Sequence, residues 1–352
     1  MMKKLIALSL ILLAIGAMAF ADDAKVMPGM VGRLYVAPNF SFASSAWDDD
    51  SEKVDFDDSI KVFNLAFALE FGVIDWITAA IQWTPGWTAW SDLEGATGFK
   101  DSNTNGVADL FVGAKIQIIG EKAPVQNDTF RLALALGAKI PLPGPDFEKE
   151  AVNLGTGKEA TLVNMDNHVF GAGARFYFDW QLADSFFINL YNETILYLGK
   201  KNMKDAGLTE YGTLAAAAAS GVTGGEVDYK YELTFEIEGV YTTSIADGVS
   251  LTAGLPVNFK YKPEFEYSFD FAAAVPDAAK PVIKENLLAA LAPADSLCLS
   301  INPNVSVFLT KTPLPLEFKL GYNLPVWGKN AQATNTVVLQ IKAYFALPGA
   351  DI

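Results

Sequence analysis

Apolar and polar residues alternate along most of the chain with a period of two residues. From Phe63 to Phe71 the odd positions carry Phe or Leu, and the even positions carry Asn, Ala or Glu. The same alternation runs through Tyr229–Ile237 and from Val249 to Phe271. Successive side chains of a β-strand point to opposite faces, so each segment predicts a strand with one apolar and one polar face.

This pattern predicts twelve strands, at residues 30–42, 60–71, 76–84, 107–119, 129–141, 168–180, 186–198, 228–241, 249–262, 297–309, 315–325 and 336–346. Short links alternate with long ones, and we expect the long loops at 44–58, 85–106, 142–166, 199–227 and 263–296, with a shorter one at 326–335. Tight turns at one end and long loops at the other are typical of outer-membrane barrels, in which the short turns face the periplasm and the long loops are extracellular.

A soluble β-sandwich or a lipocalin-like barrel would also alternate. Strands of soluble proteins usually have about five or six residues, whereas the predicted strands have about nine or more. The middle of each apolar face carries no charge, as a lipid-facing surface requires, because a basic residue at the bilayer midplane costs about 2–4 kcal/mol. We therefore predict an all-β fold, a single transmembrane antiparallel β-barrel of about 12 strands, within a range of about 10–14.

The first residues predict export. A basic start, Met1-Met2-Lys3-Lys4, precedes an uncharged apolar run from Leu5 to Met18, and the small residues Ala19 and Ala21 mark a cleavage site. This pattern is typical of a secretory signal peptide. We expect a signal peptide at residues 1–21 and the barrel at residues 22–352, in the outer membrane of a Gram-negative-type envelope. No later apolar run is long enough for a membrane helix.

Net charge and residue content narrow the range of functions that the chain can have. The formal net charge of −15 argues against a nucleic-acid partner. His168 is the only histidine, which excludes a metal site with several histidines. Phe170 occupies the position two residues after the histidine, where outer-membrane phospholipases carry a serine. Cys298 is the only cysteine, so an internal disulfide is excluded. We predict a protein that is not an enzyme and needs no cofactor or metal.

The polar face of the strands is the candidate functional surface, because it would line the barrel interior. The pattern gives nine candidate pore-lining residues, namely Lys115, Arg131, Lys139, Arg175, Glu232, Glu236, Glu238, Lys260 and Lys319. The fourth to sixth strands contribute mainly bases and the eighth mainly acids. Opposite charges on separate walls would produce a transverse field that favours small polar solutes. The alternative is that these charges pair across a narrow lumen and neutralise each other.

Two loop segments predict helices. Residues 281–291 carry apolar side chains at helical spacing, and residues 213–220 contain five consecutive alanines. Such helices could gate the mouth of the barrel or only decorate the loops.

The fourth and fifth strands carry a family resemblance. Asn105-Gly106-Val107-Ala108-Asp109-Leu110-Phe111-Val112-Gly113-Ala114-Lys115 is followed by Leu134-Ala135-Leu136-Gly137-Ala138-Lys139-Ile140-Pro141 and then by Leu154-Gly155-Thr156-Gly157. Over about residues 70–200 the chain resembles the outer-membrane family associated with meta-pathway phenol degradation and, more distantly, the fatty-acid and toluene transporters. The resemblance implies an outer-membrane transport barrel. The fatty-acid transporters carry a plug before their first strand, and we expect none here, because the first strand begins soon after the cleavage site.

These observations predict an outer-membrane, porin-like channel for passive uptake of a small-molecule solute. The alternatives are a plug-less transporter of hydrophobic or aromatic compounds and a structural or adhesive surface barrel. The expected partners are outer-membrane lipid, lipopolysaccharide and the barrel-assembly machinery, and oligomerisation is left open.

Overall fold

The structure is a computed structural model that describes residues 23–83, 90–100, 102–104, 108–348 and 350. The predicted signal peptide lies outside the described residues.

Twelve long strands form the main sheet. They are β1 (Val31–Trp47), β2 (Lys53–Ile74), β3 (Ile77–Trp83), β4 (Leu110–Gly120), β5 (Phe130–Ile140), β6 (Gly171–Ala183), β7 (Phe186–Tyr197), β8 (Tyr231–Ala246), β9 (Val249–Lys262), β10 (Ser296–Ile301 and Asn304–Leu309), β11 (Leu316–Lys329) and β12 (Asn335–Ala346). Both segments of β10 pair with β9 and β11, so the interruption at residues 302–303 leaves one strand position in the sheet.

The sheet closes on itself. Each of these strands pairs antiparallel with its neighbours, and Arg33 of β1 lies opposite Glu70 on β2 and Tyr344 on β12. A sheet whose first strand also pairs with its last is a barrel without free edges. The predicted all-β fold of about 12 antiparallel strands is confirmed.

One predicted long loop is wrong. The connection expected at 44–58 is only residues 48–52, because β1 and β2 continue as a paired hairpin from Ser45 opposite Asp55 to Trp47 opposite Lys53. The acidic side chains of this part of β2 are exposed. A run of acidic residues is typical of a loop. Such residues can also lie in a paired strand where water covers both faces of the strand.

Burial alternates along the strands with the phase that the sequence predicts. On β5, Leu134 and Leu136 are 42% and 68% exposed, whereas Ala133 and Ala135, on the other face of the strand, are 0% and 9% exposed. Large apolar side chains are exposed in the same way on β8, β9 and β11. These residues form an apolar outer band, and the polar residues of the same strands point into the barrel.

The long loops fold over one end of the barrel. They contain the helices α1 (Glu94–Thr97), α2 (Phe147–Gly155), α3 (Leu208–Ala217) and α4 (Lys280–Leu291). The two predicted loop helices are confirmed as α3, which continues as a 3₁₀ turn to Ser220, and α4. Among the described residues, no helix has the length and apolar character needed to cross a membrane.

A three-stranded sheet of Lys201–Asn202, Val222–Asp228 and Glu266–Phe271 lies beside α3 and α4. Met203, Val227 and Leu291 belong to one buried apolar cluster, and Ala217 and Leu287 belong to another. The loops are therefore packed against each other rather than spread over the surface.

Candidate functional site

The barrel interior is the candidate site. All nine predicted pore-lining residues lie at inward-facing positions of their strands. Their role in conduction stays a prediction. Polar uncharged side chains complete this surface, and Asn39 on β1 and Asn64 on the neighbouring β2 are joined by a hydrogen bond of 2.9 Å.

Most inward-facing charges form ion pairs between neighbouring strands. Arg131 pairs with Asp179 at 2.7 Å, and Arg175 pairs with Glu193. Each pair consists of residues directly opposite each other in the ladder. Directly opposite side chains of an antiparallel pair lie about 5 Å apart, so adjacent acid and base meet without crossing the lumen.

Two more pairs follow the same rule on the other side of the barrel. Arg33 meets Glu70 at 2.6 Å, and Lys342 meets Glu317 at 3.0 Å, again from opposite ladder positions. The expected division into a basic wall and an acidic wall is therefore corrected, because the predicted basic wall carries its own acids. The ion pairs run along the wall rather than across the barrel interior.

The long connection between β5 and β6 enters the barrel. Residues 160–165 are buried, and Leu162 and Val163 pack with Ala43 of β1 and with Ile60 and Val62 of β2. These three strand residues lie on the inward face of β1 and β2, which pair with neither β5 nor β6. This inward segment (residues 160–169) therefore narrows the interior towards the long-loop end.

A polar network holds the inward segment. Lys139 forms an ion pair with Asp166 of the segment and donates to the Tyr197 hydroxyl at 3.2 Å. That hydroxyl donates to Glu232 at 2.8 Å, and Lys262 pairs with Glu232 at 2.8 Å. Two of the predicted pore residues, Lys139 and Glu232, therefore act together through one tyrosine.

The only histidine anchors the same segment. The Nδ1 atom of His168 lies 2.9 Å from Asp109 Oδ1, and the two side chains are 1% and 0% exposed. His168 has a φ of 52°, in the left-handed region that costs free energy for most side chains. Asp109 also accepts the Leu142 N–H at 3.1 Å, so it joins both ends of the connection.

A second segment enters the barrel at the short-turn end. The Ala24 N–H donates to Asp179 at 3.1 Å, and its carbonyl accepts from Gln117 at 2.8 Å. The Met27 N–H donates to Thr78 at 2.8 Å. Lys115 donates to the carbonyls of Asp23 and Lys25 at 3.0 and 3.2 Å. The N-terminal segment (residues 23–29) therefore crosses from β1 to the inner faces of β3, β4 and β6.

The sequence predicted no plug before the first strand, and the structure shows that the short segment before β1 nevertheless enters the barrel. A few residues are enough, because the inward-facing polar side chains bind the extended backbone directly. The sequence carried a weak signal, since Asp179, Gln117 and Thr78 all fall on the polar face, but nothing local shows that a peptide binds them.

Aromatic residues inside the barrel were also missed. The ring of Phe111 lies against Gly137 and Gly173, where added Cβ atoms would be 2.5 and 3.1 Å from it. The guanidinium of Arg175 lies 4.2 Å from the centre of the same ring. Phe111 shares the phase of Asp109 and Lys115, so the alternation could have placed it inside. Phe111 was missed because only charged residues were taken as candidate pore-lining residues.

No family model and no curated protein matches the chain. The fold of the chain does match solved structures. The COG4313 outer membrane channel from Pseudomonas putida F1 is 14% identical, with a TM-score of 0.58, over 92% of this chain and 99% of that chain.

Two other matches are the NanC porin and a Pseudomonas aeruginosa FadL homologue. The NanC porin is 8% identical over 89% of this chain and 100% of that chain, with a TM-score of 0.39. The FadL homologue is 10% identical over 90% of each chain, with a TM-score of 0.33. These two TM-scores are too low to carry an argument. The chain therefore has the fold of a bacterial outer-membrane β-barrel, as the likeness to the COG4313 channel shows.

Proposed function

We propose that the protein is a channel for passive movement of small polar solutes across an outer membrane. One observation carries the proposal: a closed barrel has an apolar outer band and an inner surface of charged and polar side chains. Lipid would cover the outer band, and a polar interior offers partners for hydrated solutes rather than for hydrophobic ones. The fold shared with an outer-membrane channel supports the same role.

The proposal also covers where the protein lies in the cell envelope and how it is inserted there. The chain would reach the outer membrane after cleavage of residues 1–21, with its short turns towards the periplasm. Outer-membrane lipid and lipopolysaccharide would surround it, and the barrel-assembly machinery would insert it.

Two internal segments limit the open area, so the pore would be narrow. The N-terminal segment lies at the short-turn end and the inward segment towards the long-loop end. The N-terminal segment is held by hydrogen bonds between its backbone and four side chains on three strands. We expect its removal to widen the path without loss of the barrel, because it contributes nothing to strand pairing.

The test is single-channel conductance in a planar bilayer with a salt gradient. One refolded chain begins at Asp22 and a second begins at Pro28. We expect steady conductance from both chains and a larger value from the shorter one. If both chains are folded by circular dichroism and neither conducts, the channel proposal is wrong. Hydrophobe transport or adhesion would then be the function to test.

A further inference from the structure

Residues 23–27 contact the barrel interior in the way that a bound ligand would. Among the described residues, none of their backbone groups hydrogen-bonds to the backbone of a strand. Side chains of β3, β4 and β6 hold them instead. Because strand pairing plays no part in these contacts, another peptide with the same backbone groups could make them too.

The contacts at Ala24 and Lys25 recognise a peptide backbone. The Ala24 N–H lies 3.1 and 3.2 Å from the two carboxylate oxygens of Asp179. The Ala24 carbonyl accepts from Gln117 at 2.8 Å, and the Lys25 carbonyl accepts from Lys115 at 3.2 Å. Asp179 and Gln117 are 0% and 5% exposed. The wall thus offers one acceptor and two donors to an amide and two carbonyls, which are groups that every peptide carries.

The same surface contains a pocket for a small side chain. Ala24 is 0% exposed. It packs in a cluster with Ala133, Ala135, Tyr177 and Tyr191. The Tyr177 and Tyr191 rings lie 5.1 Å apart, so they close the pocket around a methyl group, and a larger side chain would overpack it. The Lys25 side chain is 56% exposed, so the second position of the peptide is not selected in this way.

We propose that this inner surface of β3–β7 is a binding site for short peptides whose first residue is small, and that the chain's own N-terminal segment occupies it as a tethered competitor. The ammonium group of such a peptide would take the place of the Ala24 N–H beside Asp179. A charge-assisted hydrogen bond is stronger than the neutral donor's bond that it replaces. The inference rests on the proposed channel function for the role of the site in uptake, and it names the solute class.

The test is calorimetric titration of the refolded protein in detergent micelles with the tripeptide Ala-Lys-Val, the sequence of residues 24–26. We expect it to bind to the chain that begins at Pro28. It should bind about tenfold more weakly to the chain that begins at Asp22, because a tethered segment at an effective concentration of about 1 mM competes for a site with a dissociation constant of about 0.1 mM. Equal affinity for both chains would overturn the tethered competition.

The tripeptide Phe-Lys-Val tests the pocket without any variant of the wall. Its first side chain is too large for the space that Ala24 fills, so it should bind to the Pro28 chain about tenfold more weakly than Ala-Lys-Val. Equal affinities would overturn the inference. Ala24→Trp in the chain that begins at Asp22 covers a failure of the shorter chain to fold. The indole would displace the segment from the pocket, so this variant should bind Ala-Lys-Val as tightly as we expect of the Pro28 chain.

Gln117→Met removes the donor to the first carbonyl and should weaken tripeptide binding by about three- to tenfold. The matched control is Gln340→Met. Gln340 is 6% exposed and faces inward on β12, which pairs with none of the strands of the site. Its exchange should leave the affinity unchanged. Unchanged affinity in Gln117→Met, or an equal loss in both variants, would contradict the proposed site.

A longer peptide tests the next contact. Ala-Lys-Val-Met adds the N–H that Met27 donates to Thr78 at 2.8 Å, so it should bind about three- to tenfold more tightly than the tripeptide. Thr78→Val should remove this gain. A gain that persists in Thr78→Val would show that the peptide does not follow the path of the N-terminal segment, and would overturn the inference.

Conductance of the same preparations in a planar bilayer separates this inference from the channel proposal. Conductance without peptide binding would overturn the peptide site and leave the channel intact. Peptide binding without conductance would overturn the channel proposal and leave the site. Where both occur, Ala-Lys-Val should partly block the ion current through the Pro28 chain, and equal block by Phe-Lys-Val would contradict the inference.

Discussion

The ion pair between Arg175 and Glu193 tests most directly whether water is excluded from the ion pairs of the barrel wall. The two side chains are 13% and 5% exposed, and the Arg175 guanidinium also contacts the Phe111 ring. In Arg175→Ala, Glu193 would keep only the hydroxyl of Tyr191, at 3.0 Å, from its present side-chain partners. Breaking a buried ion pair by removing one partner costs about 3–5 kcal/mol, because the other charge stays buried.

The double variant Arg175→Met/Glu193→Gln removes both charges. It should cost far less than Arg175→Ala, since replacement of a buried pair by neutral groups is often close to neutral. Lys311→Ala is the control, because its partner is Asp247 and the two side chains are 65% and 84% exposed. An exposed pair is worth about 0–1 kcal/mol.

The assay is urea unfolding in lipid vesicles, followed by tryptophan fluorescence. The expected order of destabilisation is Arg175→Ala first, the double variant next and Lys311→Ala last or equal to it. If Arg175→Ala costs no more than Lys311→Ala, the pair is hydrated and the argument from burial fails. In the bilayer, Arg131→Ala plus Arg175→Ala should shift the reversal potential towards cations, because Asp179 and Glu193 lose their bases.

Three further predictions concern packing and the loops. Gly137→Ala should displace the Phe111 ring and cost about 1–3 kcal/mol in unfolding free energy, because its Cβ would lie 2.5 Å from that ring; Gly239→Ala, with 3.6 Å to its nearest atom, should cost less. His168→Leu should speed hydrogen exchange in residues 160–169, because the bond to Asp109 is lost, and unchanged exchange would show that this anchor is unimportant. Burial raises the pKa of the Glu210 carboxyl in α3, so the folded loop favours the neutral acid and loses stability as the pH rises from the unfolded to the folded pKa. Glu210→Gln should therefore slow hydrogen exchange of residues 208–217 at pH 8 and have little effect at pH 4, and equal effects at both would contradict the pKa argument.

The strands were predictable because the barrel enforces a local rule. Lipid on one side and a polar interior on the other impose a period of two, so segments such as β5 and β9 agree with the sequence to within a residue or two. The β1–β2 hairpin was missed where that constraint ends. Outside the lipid, strand pairing depends on backbone contacts between residues such as Ser45 and Asp55, and no side-chain pattern reports them.

The sequence predicted which charged residues face the interior but not which of them pair with each other. Phase alone placed Arg131 and Glu236 on the inner face. Which charges meet depends on the register of neighbouring strands, and a wrong register pairs different residues. The insertion of residues 23–29 depends on contacts more than 50 residues away in sequence, such as that of Met27 with Thr78. A single sequence carries no local signal for such a contact.

Net charge and pore selectivity are separate quantities in this protein. The formal charge of −15 includes acids in the β1–β2 hairpin, such as Asp57 and Asp58, which lie on the exposed part of β2. Salt screens charges in solvent beyond about 8–10 Å, so acids at the mouth act weakly on an ion deep in the barrel. Paired wall charges, such as those of Arg33 and Glu70, largely cancel at the same depth. Selectivity should therefore depend on the charges of the inner wall, which is why Arg131→Ala plus Arg175→Ala should shift the reversal potential more than removal of loop acids such as Asp57 and Asp58.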